Sequence, residues 1–495
     1  MPDHKPPRDI ADRDANKFFE ARKKVFPRRV DGSFRRFKWL VMVVTLAIYY
    51  ITPWIRWDRG PNMPDQAVLV DIANRRFFMF QLEIWPHEFY YVAGLLIMAA
   101  IGLFLVTSAV GRAWCGYACP QTVWTDLFQH IERLVDGNRN AQFKLDAQPW
   151  NGEKIAKRLT KWTLWLLVAM ATGGAWIFYF ADAPTLAREL VSGTAPYVAY
   201  FSIFVLTMTT FIFGGFMREQ VCIYMCPWPR IQAALMDDKS LLVTYKYWRG
   251  EPRTRGVKRA AHEAEDDASA LLPQGDCIDC KACIAVCPTG IDIREGPQIG
   301  CITCGLCIDA CDEVMRKVGR PEKLIGYTTT EDEKLAVEGA HPRPPLERLL
   351  RPRTLIYFAI WGAIGLLMLF ALGNRTRIDV DASQIRNPLH VTLADGAIRN
   401  GYTLRLRNME AQPRTFTLTV DGIEGARMWS ERMSRDEATT ALEFDVPADA
   451  VARQTVYVAA PAEGPERTAI LFDVAAEDDH PETASAPTYF DRPER

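Results

Sequence analysis

Eight of the twelve cysteines fall into two near-identical runs, Cys277-Ile-Asp-Cys280-Lys-Ala-Cys283-Ile-Ala-Val-Cys287-Pro288 and Cys301-Ile-Thr-Cys304-Gly-Leu-Cys307-Ile-Asp-Ala-Cys311. Three thiolates separated by two residues each can wrap a tight loop around one cube of iron and sulfide, while the fourth, set further along, points to the other cube. The spacing therefore predicts two 4Fe-4S clusters and single-electron chemistry. In this reading Cys277, Cys280, Cys283 and Cys311 share one cluster, and Cys301, Cys304, Cys307 and Cys287 hold its twin. A zinc knuckle is the competing reading of any C-x2-C pair. Zinc sites join two short couplets across a longer gap, whereas here a triplet plus a fourth cysteine is repeated, with Ile and Val spacers that keep water off the sulfurs. Asp312 stands where the second run would carry the proline that Pro288 supplies after the first. That departure bears on the turn after Cys311, not on ligation.

The other four cysteines form a second internal repeat, Trp114-Cys115-Gly-Tyr-Ala-Cys119-Pro120 and Val221-Cys222-Ile-Tyr-Met-Cys226-Pro227. On a helix, a separation of four residues brings both sulfurs to one face, and the following proline suits the first turn of a new segment such as Gln121 to Leu134. Packed side by side, the two copies converge four thiols into one soft-ligand site suited to Cu(I), zinc or an iron-sulfur cluster; the alternative is two redox-active dithiols. Cysteine is also a common small filler at helix ends. Filling does not require cysteine at both positions of both copies, and Arg112, Arg218 and Arg230 nearby supply positive charge that lowers a thiol pKa.

These motifs sit in a neutral chain of 495 residues with 59 basic and 60 acidic side chains, too balanced for a dedicated nucleic-acid binder. Apolar windows at Trp39 to Ile55, Phe89 to Val110, Trp162 to Phe180, Tyr197 to Met217 and Leu355 to Leu372 predict five spanning helices across a core of ~30 Å. Each cysteine pair follows one of them, the second and the fourth. No cleavable signal is evident, and Arg22, Lys23, Lys24, Arg28, Arg29, Arg35, Arg36 and Lys38 crowd the upstream side of the first span. By the positive-inside rule this places the N-terminus, the loop at 111–161 and both cluster runs in the cytoplasm, and the tail on the periplasmic side. All twelve cysteines then lie at or inside the inner membrane edge, where thiols stay reduced.

The stretch Arg249 to Gly275 and the stretch Glu331 to Pro352 read as charged, proline-punctuated linkers, the first tethering a swinging or loosely docked ferredoxin domain. The tail changes period: Tyr402/Leu404/Leu406, Phe416/Leu418/Val420, Leu442/Phe444/Val446, Val456/Val458 and Ile470/Phe472/Val474 alternate with polar residues. Turns at Asp395-Gly396, Asn400-Gly401 and Asp421-Gly422 complete the pattern of an immunoglobulin-like sandwich without a cysteine pair. No Gly-rich nucleotide loop occurs, so electrons arrive from another protein or from quinol.

The expected architecture is a multi-domain integral membrane protein. A basic cytoplasmic segment at 1–38 leads into a four-helix membrane part at 39–236. A charged linker at 237–275, a bacterial-type two-cluster ferredoxin domain at 276–330 and a second linker at 331–353 follow. The fifth membrane helix at 354–373 and a periplasmic all-β immunoglobulin-like domain at 374–495 close the chain.

In the two C-x3-C-P copies, the paired ferredoxin runs, the final helix and the β-rich tail, the chain resembles the membrane polyferredoxins called CcoG, FixG or RdxA, accessory proteins of cbb-type haem-copper oxidase assembly. The resemblance covers most of the length. It implies a bacterial inner-membrane cupric reductase that turns Cu(II) into Cu(I), with Cys115, Cys119, Cys222 and Cys226 as the catalytic site, holding copper or a further iron-sulfur cluster. As partners it implies oxidase assembly factors and a copper-transporting ATPase. Related membrane ferredoxins of nitrate and nitrous-oxide respiration share both motifs and serve as quinol-linked electron conduits. A non-catalytic assembly scaffold is a further alternative.

Overall fold

The apolar windows become helices because, in hydrocarbon, a helix satisfies every backbone polar group within its own segment. The computed structural model describes residues 24–60, 63–253, 275–341, 344, 350–410, 412–476 and 481–493. Its principal helices are α1 (Ser33–Ile51), α2 (Tyr90–Val110), α3 (Pro120–Asp136), α4 (Gly152–Ile177), α5 (Tyr197–Thr210), α6 (Leu306–Val318) and α7 (Pro352–Gly373). Beyond Thr210, α5 continues in wider π-turns over Phe211–Met217 and Val221–Met225. Among the described residues, four stretches are long and apolar enough to cross a membrane: Ser33–Trp54, Pro86–Val110, Tyr197–Met225 and Pro352–Gly373. The expected third span, Trp162 to Phe180, forms most of α4. That helix opens with Glu153, Lys154, Lys157, Arg158 and Lys161 and carries Thr163, Thr172, Gly173 and Gly174 further on, so its composition falls short of the other four.

The chain divides into two compact units, one of residues up to Ile55 with Gln66–Leu366, the other of Arg56–Asp65 with Leu367–Arg495. Within the first, α4 lies close along α5: a Cβ added at Gly173 would sit 3.0 Å from the Thr207 backbone nitrogen, the kind of small-residue contact that lets apolar helices approach. The amphipathic α3 turns its polar face inward. Lys161 of α4 donates to Glu132 at 3.0 Å and also to Asp136, Arg218 reaches Glu132 at 2.8 Å, and Arg35 of α1 reaches Asp126 at 2.8 Å. Burial opposes the charge on Glu132, but Arg218 and Lys161 outweigh it and hold the carboxyl below its usual range. Removing one partner from such a buried lattice costs about 3–5 kcal/mol, because the other charge is stranded. Trp165 seals the lattice by stacking on Phe128 at 5.6 Å and donating its Nε1–H to the Phe128 carbonyl.

A three-stranded sheet, β1 (Val68–Asp71), β2 (Arg76–Met79) and β3 (Leu82–Ile84), precedes α2. The ferredoxin segment is clasped by the antiparallel pair β4 (Leu242–Tyr245) and β5 (Ile325–Thr328), which aligns Tyr245 with Ile325. Its docking corrects the expectation of a swinging domain. The Arg28 N–H donates to the Ala285 carbonyl at 2.7 Å, and the Asp309 carboxylate accepts the N–H groups of Phe34 at 3.3 Å and Arg35 at 2.8 Å. Asp309 thereby caps the first turn of α1 from a distant point in the chain, where Gly32 at the N-cap has no side chain to do so. Arg249 pairs with Asp276, which pins the last described residues of the first linker. Residues 254–274 of that linker, 342–343 and 345–349 of the second, and the first 23 residues of the basic N-terminal segment lie outside the described residues.

The second unit carries the β-sandwich. Its strands are β6 (Ile378–Gln384), β7 (Val391–Thr392), β8 (Ile398–Asn408), β9 (Arg414–Asp421), β10 (Arg427–Ser430), β11 (Ala441–Val446), β12 (Ala450–Ala460), β13 (Arg467–Ala476) and β14 (Glu482–Asp491). One sheet runs β10-β12-β8-β6 with β7 beside β8, the other β11-β9-β13-β14. The alternating residues meet between them: Tyr402, Leu404, Leu406, Phe416, Leu418, Phe472 and Phe490 are wholly buried. Tyr402 packs edge-on to Phe472 at 5.0 Å and donates its hydroxyl to the Tyr489 carbonyl at 2.8 Å. This core does without the inter-sheet disulfide that many immunoglobulin-like domains carry.

Candidate functional site

Two loops and α6 position the eight cysteines of the paired runs. Asp279 and Lys281, either side of Cys280, adopt left-handed backbone (φ 50° and 56°), which curls the first triplet tightly, and α6 carries both Cys307 and Cys311. Cys311 lies within electrostatic range of Cys283, Cys280 and Cys277, and Cys307 of Cys304, Cys301 and Cys287. Cys307 is also in range of Cys283, so this proximity brings thiols of the two runs together without dividing them into separate sets. A small, partly open pocket is lined by Cys283, Cys287, Cys301, Cys304 and Cys307 with Val243, Ile291, Ile293 and Ile302. Burial pushes the thiols of Cys283, Cys301 and Cys311 up to about 12, and raises those of Cys304 and Cys307 as well. Such groups give up their protons to a metal rather than to water. The chemistry of the donors, eight cysteine thiols in two runs beside apolar side chains, suits 4Fe-4S clusters as the resident groups. After Cys311 the chain makes no turn: α6 continues to Val318, and Asp312 accepts the Lys323 N–H at 2.7 Å, so replacing the expected proline lets the helix run on.

The four remaining cysteines lie in one neighbourhood, though not on continuous helices as expected. Cys115 lies in the short helix Ala113–Tyr117, Cys119 at the extended residue before α3, Cys222 in the π-turn Val221–Met225, and Cys226 at the extended residue after it. Cys115 is in electrostatic range of Cys119 and Cys226, and Cys222 of all three others. Pro120 occupies the first turn of α3, where its missing N–H is harmless.

The arginines do not activate this group as expected. Burial dominates at Cys115 and lifts its thiol to about 11, with Arg112 only moderating the rise. Arg218 is committed to Glu132 and the Gly215 carbonyl, and Arg230 is exposed. A residue the motifs do not contain touches the sulfur instead. The Cys115 thiol donates to Gln232 Oε1 at 3.1 Å, and the Gln232 amide, wholly buried, donates to Thr107 Oγ1 at 3.3 Å. The sequence signal was a lone amide on the otherwise apolar end of the helix Trp228–Leu235.

The two cysteine systems abut. A Cβ added at Gly116, between the cysteines of the first pair, would lie 2.7 Å from the Ile302 carbonyl oxygen and 3.1 Å from Cys304 Cα, so only glycine permits this approach. Next to it, the Tyr117 hydroxyl donates to the Cys304 carbonyl at 3.0 Å and meets the Tyr327 hydroxyl at 3.1 Å. Tyr327 in turn donates to the Thr303 carbonyl at 2.5 Å. Cys115 and Cys304 share one apolar cluster with Val30, Val286, Ile302 and Leu306. The loop that carries Cys115 thus touches the second run, at Ile302–Cys304.

Comparison with known proteins agrees with this architecture. A family model for a 4Fe-4S dicluster domain matches residues 217–330, one for a 4Fe-4S binding domain matches 92–138, and one for the IG-like fold at the C-terminal of FixG matches 368–493. The chain is 55% identical to protein RdxB of Cereibacter sphaeroides over 92% of this chain and 94% of that one. It is 54% identical to RdxA of the same organism over 92% and 93% of the two chains. It is likewise 54% identical to the nitrogen fixation protein FixG of Rhizobium meliloti over 83% and 81%. Iron and sulfide analysis of anaerobically purified protein is expected to give about eight irons per chain from the paired runs alone; about twelve would mean that the thiols around Cys115 carry a third cluster.

Proposed function

Because this chain belongs to the FixG/RdxA family of membrane iron-sulfur redox proteins, we propose that it is a cupric reductase, passing single electrons to Cu(II) at Cys115, Cys119, Cys222 and Cys226. One observation carries this reading: thiols of two distant motif copies lie within electrostatic range of one another, and Cys115 packs in one apolar cluster with Cys304. When bound, the two clusters supply a one-electron relay. The chain's own residues do the rest. Gly116 and Tyr117 hold the thiol loop against the Ile302–Cys304 backbone, and the apolar shell of Val30, Ile302 and Leu306 keeps water from the path. At the thiol site one electron converts Cu(II) to Cu(I), with no bond to carbon made or broken and no proton consumed. Soft sulfur ligands favour the reduced ion, so the site draws the reaction toward product. Gln232 fixes the Cys115 sulfur in place. Product Cu(I) would pass to oxidase assembly factors and a copper-transporting ATPase, as the family resemblance implies.

A second reading is favoured by the 4Fe-4S binding model over 92–138, which contains Cys115 and Cys119. In it the four thiols hold a further cluster and the chain is a conduit from quinol, or an assembly scaffold. The two readings part on substitution. With Cys115, Cys119, Cys222 and Cys226 all changed to alanine, Cu(II) reduction by the purified protein should fall to background while both cluster EPR signals persist. Unchanged reduction would remove these thiols from the reaction.

We further place the chain in the bacterial inner membrane with five spans, α4 being the third, the ferredoxin part cytoplasmic and the β-sandwich periplasmic. Parity supports this. The cysteine pairs follow α2 and the π-turns after α5, yet they meet, so both spans exit on one side and the chain must recross between them. Helix α4 is the element available, and Ile155, Leu159, Leu166, Leu167 and Met170 leave apolar surface exposed along it. Alkaline phosphatase fused after the sandwich should be active and green fluorescent protein at the same point dark; the reverse pattern would leave α4 outside the membrane.

A further inference from the structure

Of the twelve cysteines, Cys280 is the exposed one; the other eleven are buried or half-buried. It belongs to the first run, whereas Cys304 of the second run meets the loop that carries Cys115 and lies under the strap that runs from Val25 to Lys38. An electron arriving from outside therefore meets least protein at Cys280.

The charges around it have a sign. Asp279 and Asp292 are both taken by Arg294, at 2.6 and 2.8 Å, Asp276 by Arg249 and Glu251 by Arg253. Among the described residues the exposed Lys281, next to Cys280, and Lys323, whose backbone N–H bonds Asp312 beside Cys311, have no acidic partner. Burial and then the charges of Arg249 and Lys323 push the Lys246 ammonium below its usual range, with Asp312 and Glu333 opposing. The exposed Tyr247 adds an aromatic surface of the kind that anchors protein contacts.

We infer that electrons enter the chain at the Cys280 edge from a small soluble one-electron carrier protein with an acidic docking face. The inference rests on the iron-sulfur reading of the paired runs and is independent of what the membrane thiols reduce. In each encounter the reduced carrier loses one electron to the cluster held by Cys277, Cys280, Cys283 and Cys311; no bond breaks and no proton moves. Uncompensated Lys281 and Lys323 steer the acidic face to the exposed ligand, a contribution felt mainly in the association rate and weakened by salt.

The test uses the full-length, cluster-loaded protein under anaerobic conditions, with two donors: a reduced acidic bacterial ferredoxin and the cationic reduced methyl viologen. For Lys281→Glu combined with Lys323→Glu, the rate of cluster bleaching by ferredoxin should fall about tenfold, and calorimetric binding of oxidised ferredoxin should weaken similarly. Reduction by methyl viologen should hold or rise. In the unmodified chain the ferredoxin rate should drop with added salt. Equal ferredoxin rates in variant and unmodified chain, a salt-independent rate, or equal slowing with both donors would each overturn the inference. Because no copper is present, loss of cupric reductase activity elsewhere cannot mimic any of these results.

Discussion

The backbone contact between Gly116 and the Ile302–Cys304 loop is the constraint from which the rest follows. A side chain there would collide with a carbonyl oxygen, and the membrane thiols would be pushed off the ferredoxin surface. With glycine in place, Tyr117 can reach the Cys304 carbonyl, Tyr327 can meet Tyr117, and Cys115 can share an apolar core with Cys304. The strap before α1 and the Asp309 cap close the same joint from the other side. What the composition suggests is a tethered domain is instead a fixed connection between two sulfur systems, and fixed distance is what electron transfer without a diffusing carrier requires.

Burial is the common electrostatic theme. Desolvation raises the thiols of Cys115, Cys301 and Cys311, and Arg112 only partly offsets the rise at Cys115 and Cys301. In such surroundings a free thiolate is unfavourable. The buried lattice of Arg35, Asp126, Glu132, Asp136, Lys161 and Arg218 holds α1, α3, α4 and the π-turn region in register behind the thiol site. It explains why the arginine nearest the second cysteine pair in sequence is not available to it.

Much of this was legible before any coordinates. The cluster sets follow from fixed ligand spacing, a local property, and the period-two pattern from Tyr402 to Val474 predicts buried faces that the two sheets share. Three features were hidden because they depend on long-range packing. The role of Gln232 arises only when the helix after Cys226 meets Cys115. Docking of the ferredoxin part depends on Asp309 finding the start of α1, more than 250 residues earlier. Helix α4 opens with basic residues, of which Lys161 finds its carboxylate partners only on α3, a pairing that local composition does not reveal.

The central claim is that electrons cross from the thiols around Cys304 to those around Cys115 through the Gly116 contact. Stopped-flow reoxidation of prereduced protein by Cu(II), compared between the unmodified chain and Gly116→Val, tests it most directly. The account predicts that the variant keeps its iron content and cluster absorbance while reoxidation slows by about tenfold or more, as expected when a docked pair is displaced by a side chain's width. Reoxidation at the unmodified rate in a variant with intact clusters would contradict it.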